Sequence, residues 1–426
     1  MPMDQVIQAS QEFLSAEGLP GWLVYDYRGL NPIFRQVIAP SGHVTRQCFF
    51  FIPASGQPRL LVHHVDAGKF ADSGAALVVF RSRESMLEGL QGILNGLGTV
   101  AMEYSPMNAL PRVSKVDAGT IELVRSLGVE VVSSADVMQH ATQRWSPEQL
   151  EGHKRTTAKL GEIVNQAFGY IGERLGSGPT EFDVAEFIRT RFREEGLETP
   201  DGPIVSVNAH CSDPHYEPEE GTSSVIKSGD WVLIDLWAKS IAPPSSITGG
   251  DASPDTPLAG ADPLSSPFAE GGPEGGPSVY GDITWVAYVG DSVPTRHQEI
   301  FDIVIGARDA ALGFLEESHS KGGTVQGWQA DAVAREYIAQ RGYGEYFTHR
   351  LGHSIGGEVH SDAVNLDGFE THDTRRIIPG VGFSIEPGIY LPEFGVRSEI
   401  DAYMSETGPY ATSPVQREVV LIRGGL

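Results

Sequence analysis

The sequence predicts an α+β protein in two parts, a smaller α/β N-terminal domain over residues 1–144 and a larger domain over 145–426 with helices grouped around an antiparallel sheet. Three observations predict this. As far as Ser134, short runs rich in β-branched and aromatic residues alternate with helical patterns. A helix-start signature then appears at Ser146-Pro-Glu-Gln149. Beyond it, long segments with 3.6-residue periodicity are interspersed with short apolar runs.

The N-terminal strands are expected at Trp22-Leu-Val-Tyr-Asp-Tyr27, Cys48-Phe-Phe-Phe-Ile52, Arg59-Leu-Leu-Val62, Ala76-Leu-Val-Val-Phe80, Val100-Ala-Met-Glu103 and Val129-Glu-Val-Val132. No Gly-rich phosphate loop follows any of them, so this domain offers no visible nucleotide site. His63 and His64 would fall on opposite faces of a strand, which favours a structural role over joint ligation of one ion.

In the second part, Ser146 caps a helix, Pro147 suits its first turn and Gln149 stands at the capping-box position. Leu160, Ile163, Val164, Ala167, Phe168, Ile171 and Leu175 then share one face. A second helix is expected after Thr180 with Val184, Ile188 and Phe192 inward, and two more around Glu299 to Glu317 and Val325 to Gln340. Strand-like runs occur at Trp231-Val-Leu-Ile-Asp-Leu236, Asp282-Ile-Thr-Trp-Val-Ala-Tyr288, Gly382-Phe-Ser-Ile-Glu386 and Arg397-Ser-Glu-Ile400. Between the first two, residues 240–279 contain 8 Pro and 7 Gly with Phe268 as the sole aromatic. Such a composition buries too little apolar area to offset its ordering entropy, so a largely disordered insertion is expected. Leaving the sheet at a hairpin tip, it would still let the flanking strands pair, because closure cost grows only logarithmically with length.

Composition narrows the function. At 426 residues the chain can build full cores, and 40% hydrophobic with 20% charged residues is ordinary for a globular protein. Set against 56 acidic residues, 31 basic ones leave a net charge of -25, which argues against nucleic acid or an anionic membrane and for a small substrate. Cys48 and Cys211 are too few for a disulfide framework and point to a reducing, cytoplasmic compartment. The N-terminus lacks a basic segment followed by an apolar core, and no run of about 18 apolar residues occurs, so neither secretion nor membrane spanning is expected.

Five residues carry the chemistry. Asp235 is flanked by Ile234 and Leu236 inside an apolar strand, where an unpartnered acid would be expensive. If the Asp282 strand pairs with it, both carboxylates can face one side. Glu386 and Glu399, separated by the turn-like Leu391-Pro-Glu-Phe-Gly395, repeat the arrangement, and His353 lies in Gly352-His-Ser-Ile-Gly356. Four carboxylates in one pocket would repel unless cations compensated them, and two divalent ions cancel their charge. Hard oxygens plus one imidazole suit Mn2+, Co2+, Fe2+ or Zn2+ rather than thiolate-loving metals, and Mn2+ is the expected ion.

In order and local context, Asp235, Asp282, His353, Glu386 and Glu399 resemble the metallopeptidases of the pita-bread fold, which include Xaa-Pro dipeptidases (prolidases), aminopeptidase P and methionine aminopeptidases. The resemblance covers about residues 145–422, and the N-terminal part looks like the creatinase-type domain that prolidases and aminopeptidase P carry. It implies hydrolysis of short peptides, with proline as the expected second residue, by a hydroxide bridging two divalent metals, and a homodimer. It also implies that Glu386 shuttles the proton and that His360, seven residues after His353, meets the developing oxyanion. Gly356 and Gly357 would bend the chain to bring the two histidines together. His215, in Pro214-His-Tyr-Glu-Pro218, is expected to contact substrate in preference to His210, and His349 to line the pocket. Arg397 shares a strand face with Glu399 and would orient it or bind the substrate carboxylate. Trp285 stands where many relatives have Arg. Alternatives on the same fold are a metal-independent amidinohydrolase, as in creatinase, and a non-catalytic binding protein.

Overall fold

The computed structural model describes residues 3–241 and 278–424, so the insertion expected at 240–279 lies, from 242 to 277, outside the described residues. The chain begins with α1 (Met3–Ala16), β1 (Gly21–Tyr27), α2 (Pro32–Val37), β2 (Gln47–Pro53), β3 (Arg59–His63), β4 (Ala76–Phe80), α3 (Arg83–Leu94), β5 (Thr99–Met102), α4 (Ala118–Ser126), β6 (Glu130–Ser133) and α5 (Ala135–Thr142). The six strands form one mixed sheet in the order β4-β3-β2-β1-β5-β6. Helices cover both faces. Trp22, Val24, Phe50 and Ile52 pack toward α1, α2 and α5, while Leu23, Tyr25, Phe49 and Phe51 pack toward α3 and α4. That double burial explains why the central strands are nearly continuous apolar runs rather than alternating ones.

Two local features differ from expectation or add to it. β3 ends at His63, so strand alternation no longer governs His64, and the two rings lie 4.4 Å apart. Glu103, just past β5, is fully buried and accepts from Trp22 Nε1 (2.6 Å), Asn31 Nδ2 (3.0 Å), Ser134 Oγ (3.2 Å) and the Tyr25 amide (3.4 Å). Burial outweighs these donors and pushes its carboxyl from 4.5 up to about 7. A carboxyl that keeps its proton longer when folded costs stability as pH rises from its unfolded to its folded pKa. The unfolding free energy of the wild type, relative to Glu103→Gln, should therefore fall by up to about 3 kcal/mol between about pH 4.5 and 7 in urea titrations. A pH-independent difference would contradict this.

The chain continues with α6 (Pro147–Arg174), α7 (Glu181–Glu194), β7 (Leu197–Glu198), β8 (Ile204–Val207), β9 (Trp231–Ser240) and β10 (Gly281–Val289). Ser146 and Gln149 form a reciprocal capping box at α6, as Thr180 and Asp183 do at α7. Next come α8 (Thr295–Ser320), α9 (Gly327–Ala339), β11 (Ser354–Ile355), β12 (Gly382–Ile385), β13 (Gly388–Tyr390), β14 (Gly395–Arg397), β15 (Ile400–Ser405), β16 (Gly408–Ala411) and β17 (Val420–Ile422). One sheet runs β17-β10-β9-β7 with β8 also on β9, another runs β11-β12-β15-β16, and β13 pairs with β14. Among the described residues, no helix is long and apolar enough to cross a membrane.

Each sheet covers its own helix pair. The predicted face of α6 packs with Val184, Ile188 and Phe192 against Val232, Ile234, Leu236 and Ile283. Ile300, Phe301, Val304, Ala307, Ala330 and Ala334 of α8 and α9 pack against Phe383, Ile385, Val396 and Ile400. Since β9 alternates, the even-numbered side chains point to α6 and α7, while Trp231, Leu233 and Asp235 face the other helix pair across the interior. Trp285, opposite Ile234, shares the α6 face and turns away from the acids.

Candidate metal centre

Register places the acids. β9 and β10 are antiparallel with Asp235 opposite Thr284 and Asp282 opposite Trp237, so Asp235, Asp282 and Thr284 lie on one face. The second pair comes from a ladder broken in the middle. Ile385 opposes Ile400 and Gly388 opposes Arg397, a common register that sets Pro387 opposite Ser398 and Glu386 opposite Glu399. Pro387 has no N–H to give, so the strand expected at 397–400 divides into β14 and β15 around the two glutamates. The freed backbone pairs elsewhere: Glu386 N donates to Leu351 O (2.8 Å) and Glu399 N to Thr284 O (3.2 Å).

His353 enters from the segment before β11. A Cβ on Gly352 would stand 2.1 Å from the Ser384 carbonyl oxygen, so only glycine lets the chain run this close to β12. His353 N then donates to Ser384 Oγ (3.0 Å), whose hydroxyl also reaches Glu386 Oε1 (3.2 Å). The imidazole Nε2 lies 3.6 Å from Asp282 Oδ2 and 3.4 Å from Glu386 Oε1. Asp282, His353 and Glu399 present ligand atoms within 4.8 Å of one another, all three buried.

Asp235 joins this group through Arg397. The guanidinium pairs with Asp235 Oδ2, donates to Thr284 Oγ1 (2.9 Å), and lies 3.4 Å from both Tyr390 OH and Pro214 O. Thr284 Oγ1 in turn donates to Glu399 Oε2 (2.7 Å). Arg397 therefore reaches Glu399 through a hydroxyl rather than directly, with its nitrogens already engaged. Neither Thr284 nor Tyr390 was singled out from sequence; Thr284 was findable, since it stands two residues after Asp282 on the same strand face.

The electrostatics follow from this crowding. Burial, then Glu399, Asp235, Asp401 and Glu386, push the Asp282 carboxyl well above its usual range. Glu399 is raised well above its own for the same reasons, and Glu386 reaches about 7 through burial. Asp235 is raised by burial against the pull of Arg397. Burial holds His353 well below the usual imidazole value, hence neutral and able to ligate. Among the described residues, Asp235 Oδ1 and Asp282 Oδ1 are buried with no hydrogen-bond partner. Unsatisfied carboxylate oxygens beside a neutral imidazole fit hard divalent cations.

Of the other candidate histidines, His360, His215 and His349 lie around this cluster. The His360 ring packs edge-on against His353 at 4.2 Å, because β11 ends at Ile355 and the chain bends through Gly356. Burial, then Arg350, lowers His360 to about 4. His215 is exposed but close enough for its charge to act on both Asp235 and His360. His210 is instead tied to buried Glu181 (2.9 Å) and stacked on Tyr216. His349 Nε2 meets Tyr390 OH (2.7 Å) and Nδ1 meets Arg350 O (2.7 Å), so His349, Tyr390, Arg397 and Asp235 form one polar chain.

Comparison with known proteins gives the family. The profile of metallopeptidase family M24 matches residues 156–241 and 272–406. A probable dipeptidase PepE of Mycobacterium bovis is 25% identical over 378 residues, 87% of this chain and 84% of that protein. An Xaa-Pro dipeptidase of Pyrococcus horikoshii is 36% identical over 264 residues, 62% of this chain and 61% of the relative. The crystal structure of dipeptidase PepE from Mycobacterium ulcerans superposes with a TM-score of 0.66 at 21% identity, covering 99% of this chain and 98% of the other.

Proposed function

The chain belongs to metallopeptidase family M24, and from that premise we propose that it is a dinuclear enzyme cleaving short peptides before proline, as a dipeptidase or an aminopeptidase. Peptide hydrolysis is the chemistry of the family itself. The observation that carries the finer reading is the convergence of Asp282, Glu386 and Glu399 on His353, with Asp235 joined through Arg397, and with Asp235 Oδ1 and Asp282 Oδ1 unpartnered among the described residues. Asp235, Asp282, His353, Glu386 and Glu399 would hold two divalent ions, Mn2+ foremost for an oxygen-rich set. Such ions would supply a water of lowered pKa and polarise the scissile carbonyl.

The chain's own residues supply the rest. Glu386, buried beside His353 with Oε1 3.4 Å from its Nε2, would accept a proton from the attacking water and pass it to the leaving nitrogen. His360, kept neutral, can donate its ring N–H to the developing oxyanion, with His215 contacting substrate from the exposed side. Arg397 balances Asp235 and Glu386, while His349 fixes the Tyr390 hydroxyl beside it. The reading includes a cytoplasmic homodimer, in keeping with two buried free thiols, Cys48 and Cys211.

Specificity is tested by comparing kcat/KM for Ala-Pro, Ala-Ala and Ala-Pro-Ala with Mn2+ present. The expected preference for a prolyl over an alanyl second residue is about tenfold or more. Faster cleavage of Ala-Ala would remove proline from the proposal and leave a general dipeptidase.

A further inference from the structure

The N-terminal domain showed no chemistry of its own, yet one of its side chains reaches the proposed oxyanion histidine. Arg112 sits in the helical turn Pro111–Val113. Its Nε donates to Asp362 Oδ1 (2.6 Å), and one terminal nitrogen donates both to Glu358 Oε2 (3.2 Å) and to the His360 carbonyl oxygen. Three acceptors within five residues thus converge on one guanidinium, with His360 at their centre.

The segment from Gly356 to Ala363 has no regular structure to hold it. Within the C-terminal domain, its backbone ties include Ser361 N to Ser354 O (2.9 Å) and Tyr280 N to Gly356 O (2.9 Å). The N-terminal domain adds further anchors besides Arg112: Gln143 Oε1 accepts from Ser361 Oγ (2.8 Å), Gln139 Oε1 accepts from Val364 N (2.7 Å), and Gln36 Nε2 reaches Asp362 Oδ2 (3.4 Å). Arg112 differs from these glutamines in kind, since a rigid, charged fork on two carboxylates and a carbonyl fixes direction as well as distance. Its side chain is 37% exposed, so it contributes little to the core.

We propose that Arg112 is a positioning residue through which the N-terminal domain sets His360 against the metal centre for catalysis. The proposal rests on the peptidase reading for the role of His360, but the clamp itself is a separate claim. Misplacing a catalytic group by about 1 Å can cost about a hundredfold in rate. Arg112→Ala should therefore lower kcat on Ala-Pro by about 10- to 100-fold while KM changes by less than about threefold. Arg112→Lys, a point charge without the fork, should recover only part of the loss. Asp362→Asn, which weakens the clamp from the other side, should reproduce it in smaller measure.

Two measurements separate positioning from a merely structural role. In a His360→Ala background, Arg112→Ala should cost less than about twofold, because residues acting as one unit are not additive. Hydrogen exchange of the full chain should show faster exchange in Arg112→Ala confined to residues 354–364, with the protected strands unchanged. Undiminished activity in Arg112→Ala, a full additional loss in the double variant, or unchanged exchange in that segment would each overturn the proposal. If the wild type hydrolyses no peptide with any divalent metal, the peptidase reading falls, while the exchange measurement still decides whether Arg112 clamps the loop.

Discussion

Asp282→Ala is expected to lower kcat/KM by about 1,000-fold or more, on the order of 4 kcal/mol of transition-state stabilisation, and to reduce bound metal below two ions per chain. Its effect on the metal-free fold should run the other way. The Asp282 carboxyl is raised well above its ordinary range by burial and by four neighbouring carboxylates, so the metal-free native state carries a cost, as repulsion or as proton uptake, that alanine relieves. Without metal, the variant should melt at or above the wild-type temperature. With metal, the wild type gains about 2.7 kcal/mol at a hundredfold excess over Kd, and the variant should gain much less. Equal activity in the two proteins would remove Asp282 from the site.

Arg397→Ala should also abolish turnover, but with the opposite sign on stability. Arg397 is 4% exposed, pairs with Asp235 and lies 4.0 Å from Glu386, so its loss strands buried acids without their cation. Breaking a buried pair from one side costs about 3–5 kcal/mol. The metal-free variant should therefore unfold at markedly lower urea than either the wild type or Asp282→Ala. Arg397→Lys should rescue little, since a single ammonium cannot serve Asp235, Thr284 and Tyr390 together. Opposite stability changes from two substitutions in one cluster would be hard to obtain from a structural role alone; a stable Arg397→Ala protein would contradict the electrostatic account.

Much of this was legible in the chain. The six N-terminal strands stand where β-branched and aromatic runs put them, and the central ones give long apolar signals because they are buried on both faces. An aspartate between Ile234 and Leu236 announced itself as a buried acid needing a partner, and among the described residues one of its oxygens has none. The division of the 397–400 strand was not read, although Pro387 carries the reason: the break appears only once register sets it opposite Ser398. Tyr390 depends on register in the same way, whereas Thr284, two residues after Asp282, shares its strand face by alternation alone. Arg112 was invisible for a different reason, since its contact with His360 spans 248 residues, and no local pattern encodes that.

The most direct test is the metal content of the purified chain, read together with Ala-Pro hydrolysis before chelation, after it, and after Mn2+ is restored. Two divalent ions per chain are expected when it is fully loaded, with activity lost on chelation and regained with Mn2+. A chain that binds no divalent metal and hydrolyses peptide equally well in the presence of chelator would contradict the account.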